Sequence, residues 1–237
     1  MRKTLTLAAL FVALLAATAT AQQPQPQTQP TPQPQPAAAR PNPNAGHEYA
    51  PLQERELDYK DWTFKTYPAG EPLNLRGWAR GKRLVLVAYF APWCGNWRME
   101  RPVLARLHDK YKAHGFDVVA VSEYASEDEL KAHFAVRTPT FTVVAESDSR
   151  DARNQTPHYD YRRQTGDSRK WGSPYNIFLA PAALKPKGDV LAERVWVVGG
   201  ELIEAEVEAF IRERLGLPKE EEKAKDAKSE AKPADKP

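Results

Sequence analysis

Cys94 is the only cysteine in the chain, and so the only side chain able to form a disulfide. It stands in the stretch AYFAPWCGNWRMERPVL, residues 88–104, and three residues further on, where a redox pair would carry a second thiol, there is Trp97. A strand is expected to end at Phe90, Ala91-Pro92-Trp93 to turn, and a helix to open at about Cys94. A thiol at the first turn of a helix faces unpaired N–H groups and the positive end of the helix dipole, both of which favour thiolate over thiol. The thiolate is the nucleophile of disulfide exchange. An indole cannot attack a mixed disulfide, so release from Cys94 requires a thiol from outside the chain, and net oxidation by an internal disulfide is impossible. Filling space as a small hydrophobe is the plainer role open to Cys94.

Other chemistry finds little support. Glu100 is a candidate buried carboxylate that tunes the thiol, although a surface ion pair is equally open to a helix residue flanked by Arg98 and Arg101. The histidines, at 47, 108, 114, 133 and 158, show no metal-ligand spacing, and no second cysteine exists to complete a zinc site. Neither a Gly-rich phosphate loop nor G-x-S-x-G occurs, so no metal and no cofactor are implied. A peroxidase role for Cys94 lacks the threonine expected two or three residues before it, where Pro92 and Ala91 stand.

The elements that must position Cys94 are legible as a βαβ unit. Leu84 to Phe90, LVLVAYF, is a continuous apolar run of strand formers, the pattern of a strand covered on both faces. Trp97, Leu104, Leu107 and Tyr111 recur at helical spacing until Gly115, with Pro102 inside the helix where it should kink the axis. Phe116 to Ser122 is a second buried strand, which implies parallel neighbours and a right-handed crossover. Ser126 and Glu129 form a capping box opening a helix to about Phe134, and Thr140 to Ala145 is a further strand. The long polar stretch from Glu146 to Gly172 is expected to be part helix, part surface loop. Asn176 to Ala180 and Glu193 to Val198 then read as strands, followed by an amphipathic helix through Ile203, Val207, Phe210, Ile211 and Leu215 that Gly216 caps and Pro218 stops.

The ends of the chain have another character. Arg2 and Lys3 precede an apolar run from Leu5 to Ala17 and the small residues Ala19-Thr20-Ala21, the marks of a signal peptide over residues 1–21. An uncleaved anchor is the competing reading, against which the run falls short of the roughly 20 residues of a spanning helix. Cleavage would lower the net charge from +3 to +1, and with signs interspersed nucleic acid is excluded as a partner class. Export to a periplasmic or extracellular compartment, where disulfides persist, is the consequence. Residues 22–47 are expected to be a Pro/Gln-rich linker of stiff PPII character, and residues 219–237 a charged disordered tail, with the folded domain over 48–218.

The Cys94 segment resembles the thioredoxin superfamily, and within it the exported TlpA/ResA-like branch. FAPWCGNWRMERPVL is similar to that branch's F-x-x-W-C-x-x-C-R-x-E-x-P-x-L, with Trp93, Cys94, Arg98, Glu100, Pro102 and Leu104 in place and the second cysteine replaced by Trp97. LNLRGWARGKRLVLVAYF upstream and GSPYNIFLA downstream resemble the branch's lead-in and its G-x-P-x-x-F-L-I-D segment. The resemblance implies an α/β thioredoxin fold, a central mixed sheet with helices on both faces and an insertion before a cis-proline. It also implies a substrate surface of Trp93, Gly95, Trp97, Ser173 and Pro174 around catalytic Cys94, with protein or small-molecule thiols and disulfides as partners. For the cis-proline, Ser173-Pro174 is preferred to Thr138-Pro139, because two strands and a helix come after Pro174 whereas one strand and a polar stretch come after Pro139. The rival function is a redox-inactive binding module of the same fold, holding a peptide or partner protein on the Pro174 loop and on Tyr159, Tyr161 and Trp171 of the polar stretch.

Overall fold

The computed structural model describes residues 46–136 and 138–218. The expected signal peptide, nearly all of the linker and the charged tail lie outside them. No helix among the described residues is long and apolar enough to cross a membrane.

An eight-stranded sheet carries the fold. Its strands, in chain order, are β2 (Gln53–Lys60), β3 (Thr63–Thr66), β4 (Pro72–Asn74), β5 (Leu84–Phe90), β6 (Phe116–Ser122), β7 (Thr142–Ala145), β8 (Tyr175–Leu179) and β9 (Val190–Val198). Across the sheet they lie in the order β2-β9-β8-β5-β6-β7-β3-β4. Strands β5, β6 and β7 are parallel, whereas β8 runs antiparallel to β5 and β9 antiparallel to β8, making the sheet mixed. A separate two-residue parallel pair joins β1 (Tyr49–Ala50) to β10 (Glu201–Leu202).

The continuous apolar run of β5 is explained by its central place. All of its side chains are buried, and successive residues serve opposite faces. Leu84, Leu86, Ala88 and Phe90 join one core with α2 (Gly95–Tyr111), α3 (Glu127–Phe134) and α5 (Glu204–Arg214). Val85, Val87 and Tyr89 join the other, with the short α1 (Leu75–Trp78) and, from the long polar stretch, α4 (Pro157–Gln164). Helices therefore cover both faces, as a thioredoxin fold requires. The capping box of Ser126 and Glu129 opens α3, and Gly115 ends the turn after α2 at φ 94°.

Two features differ from the sequence reading. Strands β2 to β4 are additional to the expected strands, and β2 has little strand pattern of its own: QERELDYK is charged at five of its eight positions and buries only Leu57 and Tyr59. It is a strand because β9 offers it an edge, with Gln53 opposite Val197 and Lys60 opposite Val190. The same pairing extends β9 back to Val190, three residues before the expected start at Glu193.

Candidate functional site

Cys94 is the N-cap residue of α2, with φ −72° and ψ 130°, held by its own N–H donating to Ala91 O at 2.9 Å and its carbonyl accepting from Arg98 N–H at 3.3 Å. Its side chain does not cap the helix. The sulfur points across to the loop before β8, where Sγ lies 3.1 Å from the carbonyl oxygen of Ser173 and donates to it. The thiol thus acts as a donor to a carbonyl, where the sequence suggested an acceptor facing first-turn amides. Cys94 is half-buried and Gly95 beside it is exposed.

The peptide bond Ser173–Pro174 is cis, and Thr138–Pro139 is not. Ser173 is buried and binds the Cys94 turn twice, by its carbonyl and by Oγ, which accepts the Ala91 N–H at 2.8 Å. Pro174 is buried as well, its carbonyl accepting from Arg169 Nη2 at 2.8 Å. Of the expected substrate surface, Gly95 and part of Trp93 face outward, while Ser173 and Pro174 back the sulfur from within.

Trp97 corrects the expectation most plainly. It is fully buried, stacked on Phe90 with centroids 4.2 Å apart, and its Nε1–H donates to His133 Nε2 at 3.1 Å. A side chain with no exposed surface cannot contact a substrate, so Trp97 belongs to the core. Burial, reinforced by Arg101 and Arg98, pushes the His133 imidazole down to about 4, which keeps Nε2 free to accept. His133 belongs to no motif; its place three residues after Leu130, one helical turn along α3, is its only sequence signal.

Glu100 is buried, not a surface ion pair. Its carboxyl group accepts from Leu202 N–H at 2.8 Å and from Asn176 Nδ2 at 3.1 and 3.2 Å. Burial raises its pKa to about 8 against the pull of those donors. Glu100 therefore joins α2 to β8 and β10 beneath the turn.

The polar stretch before Ser173 packs over the carboxyl ends of β6 and β7. Tyr124, the one non-glycine residue at positive φ among those described (59°), receives the Trp93 indole N–H on its carbonyl at 3.4 Å and sets its hydroxyl 3.0 Å from His158 Nδ1. Beside it Glu123 is buried, one oxygen accepting from Ser147 Oγ at 2.7 Å; its pKa is raised by burial and then by the neighbouring Glu146. Neither acid carried a motif, although a carboxylate directly after a buried strand was the available sign. Tyr161 is buried, its hydroxyl accepting the Lys60 N–H at 3.1 Å, which removes it from any binding surface. Trp171 does reach the site: it meets Trp93 edge-to-face at 5.0 Å. No group of three or more metal-ligating side chains is found among the described residues.

Solved structures similar to this chain include a Chlorobium tepidum protein described as a putative thiol:disulfide interchange protein DsbE. The two share 22% identity over 72% of this chain and 99% of that one, with a TM-score of 0.47. A second thiol:disulfide interchange protein from Chlorobium tepidum matches at 18% identity over 68% and 97% of the chains, with a TM-score of 0.48. One from Bacteroides sp. matches at 18% over 74% and 93%, with a TM-score of 0.46. No curated protein matches. Residues 78–160, which hold the Cys94 turn, α2 and the parallel strands, match the model of the Thioredoxin family. With that match and the mixed sheet flanked by helices, the chain carries a thioredoxin-family domain.

Proposed function

We propose that this chain is an exported thiol–disulfide exchange protein that works through Cys94 alone. The observation that carries the reading is the seat of the sulfur: half-exposed at the opening of α2 and 3.1 Å from the carbonyl that precedes cis Pro174. Attack by the Cys94 thiolate on a partner disulfide forms one Sγ–S bond and breaks the partner's S–S bond, and the displaced half leaves as a thiolate. The Cys94 proton passes to solvent. Once the S–H is gone, the Ser173 carbonyl loses its donor and is available to a backbone N–H of the bound partner, in the manner of an added strand. Trp97 cannot release the adduct, so a second, external thiol attacks Sγ's partner sulfur and regenerates Cys94. Glu100 fixes the base of the turn through Asn176 and Leu202. The signal-peptide pattern of residues 1–21 supports an oxidising compartment as the setting.

Intact-mass analysis tests this. Incubated with a cystine-containing peptide, the folded chain should gain one mixed disulfide at Cys94, lose it on addition of free thiol, and gain none as Cys94→Ser. A native chain that stays unmodified while its urea-unfolded form reacts would leave the fold without exchange chemistry.

A further inference from the structure

The surface beside Cys94 is built from two indoles and three cations. Trp93 precedes the cysteine, and Trp171 stands two residues before Ser173, whose carbonyl touches the sulfur. Their rings meet edge-to-face at 5.0 Å, so the pair flanks the thiol on the side of the long polar stretch. Three cations from that stretch lie over these rings: the Arg150 guanidinium 5.0 Å from the Trp93 centroid, and Arg153 and Lys170 each 5.2 Å from that of Trp171. At these separations the ring faces attract the cations and hold them near the rim. Arg150 is neutralised by an ion pair with Glu129. Arg153 and Lys170 take part in no ion pair among the described residues, so the two charges over Trp171 are open to an incoming anion.

We propose that Cys94 prefers disulfides whose sulfur is flanked by carboxylates, with Arg153 and Lys170 over Trp171 receiving the negative charge. This rests on the exchange reading above and names its substrate class. The step is the same displacement, with the leaving half departing as a thiolate that bears its own carboxylate. Unpaired cations at the rim raise the local concentration of an anionic partner, and the effect weakens as salt screens it.

Three aliphatic disulfides of similar size separate the possibilities: 3,3′-dithiodipropionate, bis(2-hydroxyethyl) disulfide and cystamine, which are anionic, neutral and cationic. The rate of mixed-disulfide formation at Cys94 of the full chain, divided by each disulfide's rate with 2-mercaptoethanol to remove leaving-group differences, is expected to fall in that order, with the anionic value about threefold or more above the neutral one at low salt. The ratio of the two should shrink toward one in about 0.5 M salt. In the double variant Arg153→Gln/Lys170→Gln the ratio should shrink likewise; being taken within one protein, it is insensitive to a general loss of folded material. Equal values for the three, or a ratio that neither salt nor the variant alters, overturns the anion preference and leaves the exchange reading standing. A thiol inert to all three overturns both.

Discussion

The indole N–H of Trp97 donates to Nε2 of His133 across 3.1 Å, joining α2 to α3 at the position where a dithiol protein would hold its second sulfur. The bond explains why the substitution is compatible with the fold. A large ring stacked on Phe90 needs a partner for its one polar atom, and a histidine kept neutral by burial supplies it.

Trp97→Cys tests this arrangement directly. The variant removes a fully buried ring and should lower the unfolding free energy by about 3 kcal/mol or more, as large-to-small core substitutions do. It also sets a second thiol one helical turn from Cys94, so the variant should catalyse insulin reduction by dithiothreitol well beyond the slower single-thiol exchange of the natural chain. Chemical denaturation and a turbidity assay read the two effects. An unchanged unfolding midpoint would contradict the buried stack, and a folded variant without insulin turnover would contradict a dithiol-competent turn.

The buried acids should make stability fall with rising pH. Burial lifts Glu100 from its ordinary 4.5 to about 8, so between those values the folded chain keeps a proton that the unfolded chain has released. Stability from this group is complete below about pH 4.5 and is lost as pH rises through 8, by an amount on the order of 2 kcal/mol or more. Glu123, raised by burial and then by Glu146, acts with the same sign. The urea midpoint should therefore drop from pH 7 to pH 9, above the range in which His133 and His158, depressed by burial, act with the opposite sign, and drop less in Glu100→Gln and in Glu123→Gln. Variant and natural curves running parallel over that interval would refute the assignment.

Gly172 should tolerate no side chain. Its φ is +56°, and a Cβ there would sit 1.7 Å from Nε of Arg162. Arg162 cannot swing aside freely, since it is buried, paired with Asp167 at 3.2 Å and bonded to the carbonyl of Arg169. Gly172→Ala is expected to cost about 2 kcal/mol or more, from left-handed backbone strain and the displaced guanidinium together. Because Ser173 is the next residue, the rate of Cys94 alkylation should change as well. Melting curves and timed alkylation with iodoacetamide check both, and a variant matching the natural chain in each would show that the loop adapts.

Much of the architecture around Cys94 was legible in the order of residues. The unbroken apolar run of β5, the helical spacing from Trp97 to Tyr111 and the Ser126/Glu129 box are local patterns whose period reports the element and its buried face. The two strands and the helix beyond Pro174 favoured Ser173–Pro174 over Thr138–Pro139, because element order is also written along the chain. The charged strand β2 has no such local signature, since only the edge offered by β9 makes QERELDYK a strand.

The sequence by itself determined that a single sulfur sits where a strand gives way to a helix, with no thiol to resolve its adducts. Tertiary structure alone decided where that sulfur and its neighbours point. It turned Trp97 inward onto Phe90 and His133, placed Glu100 under Asn176 and Leu202, aimed the thiol at the Ser173 carbonyl, and set two cations over Trp171. Most of these relations join residues distant along the chain. Burial, and the need of each buried polar atom for a partner, acts on neighbours in space, which no local spacing records.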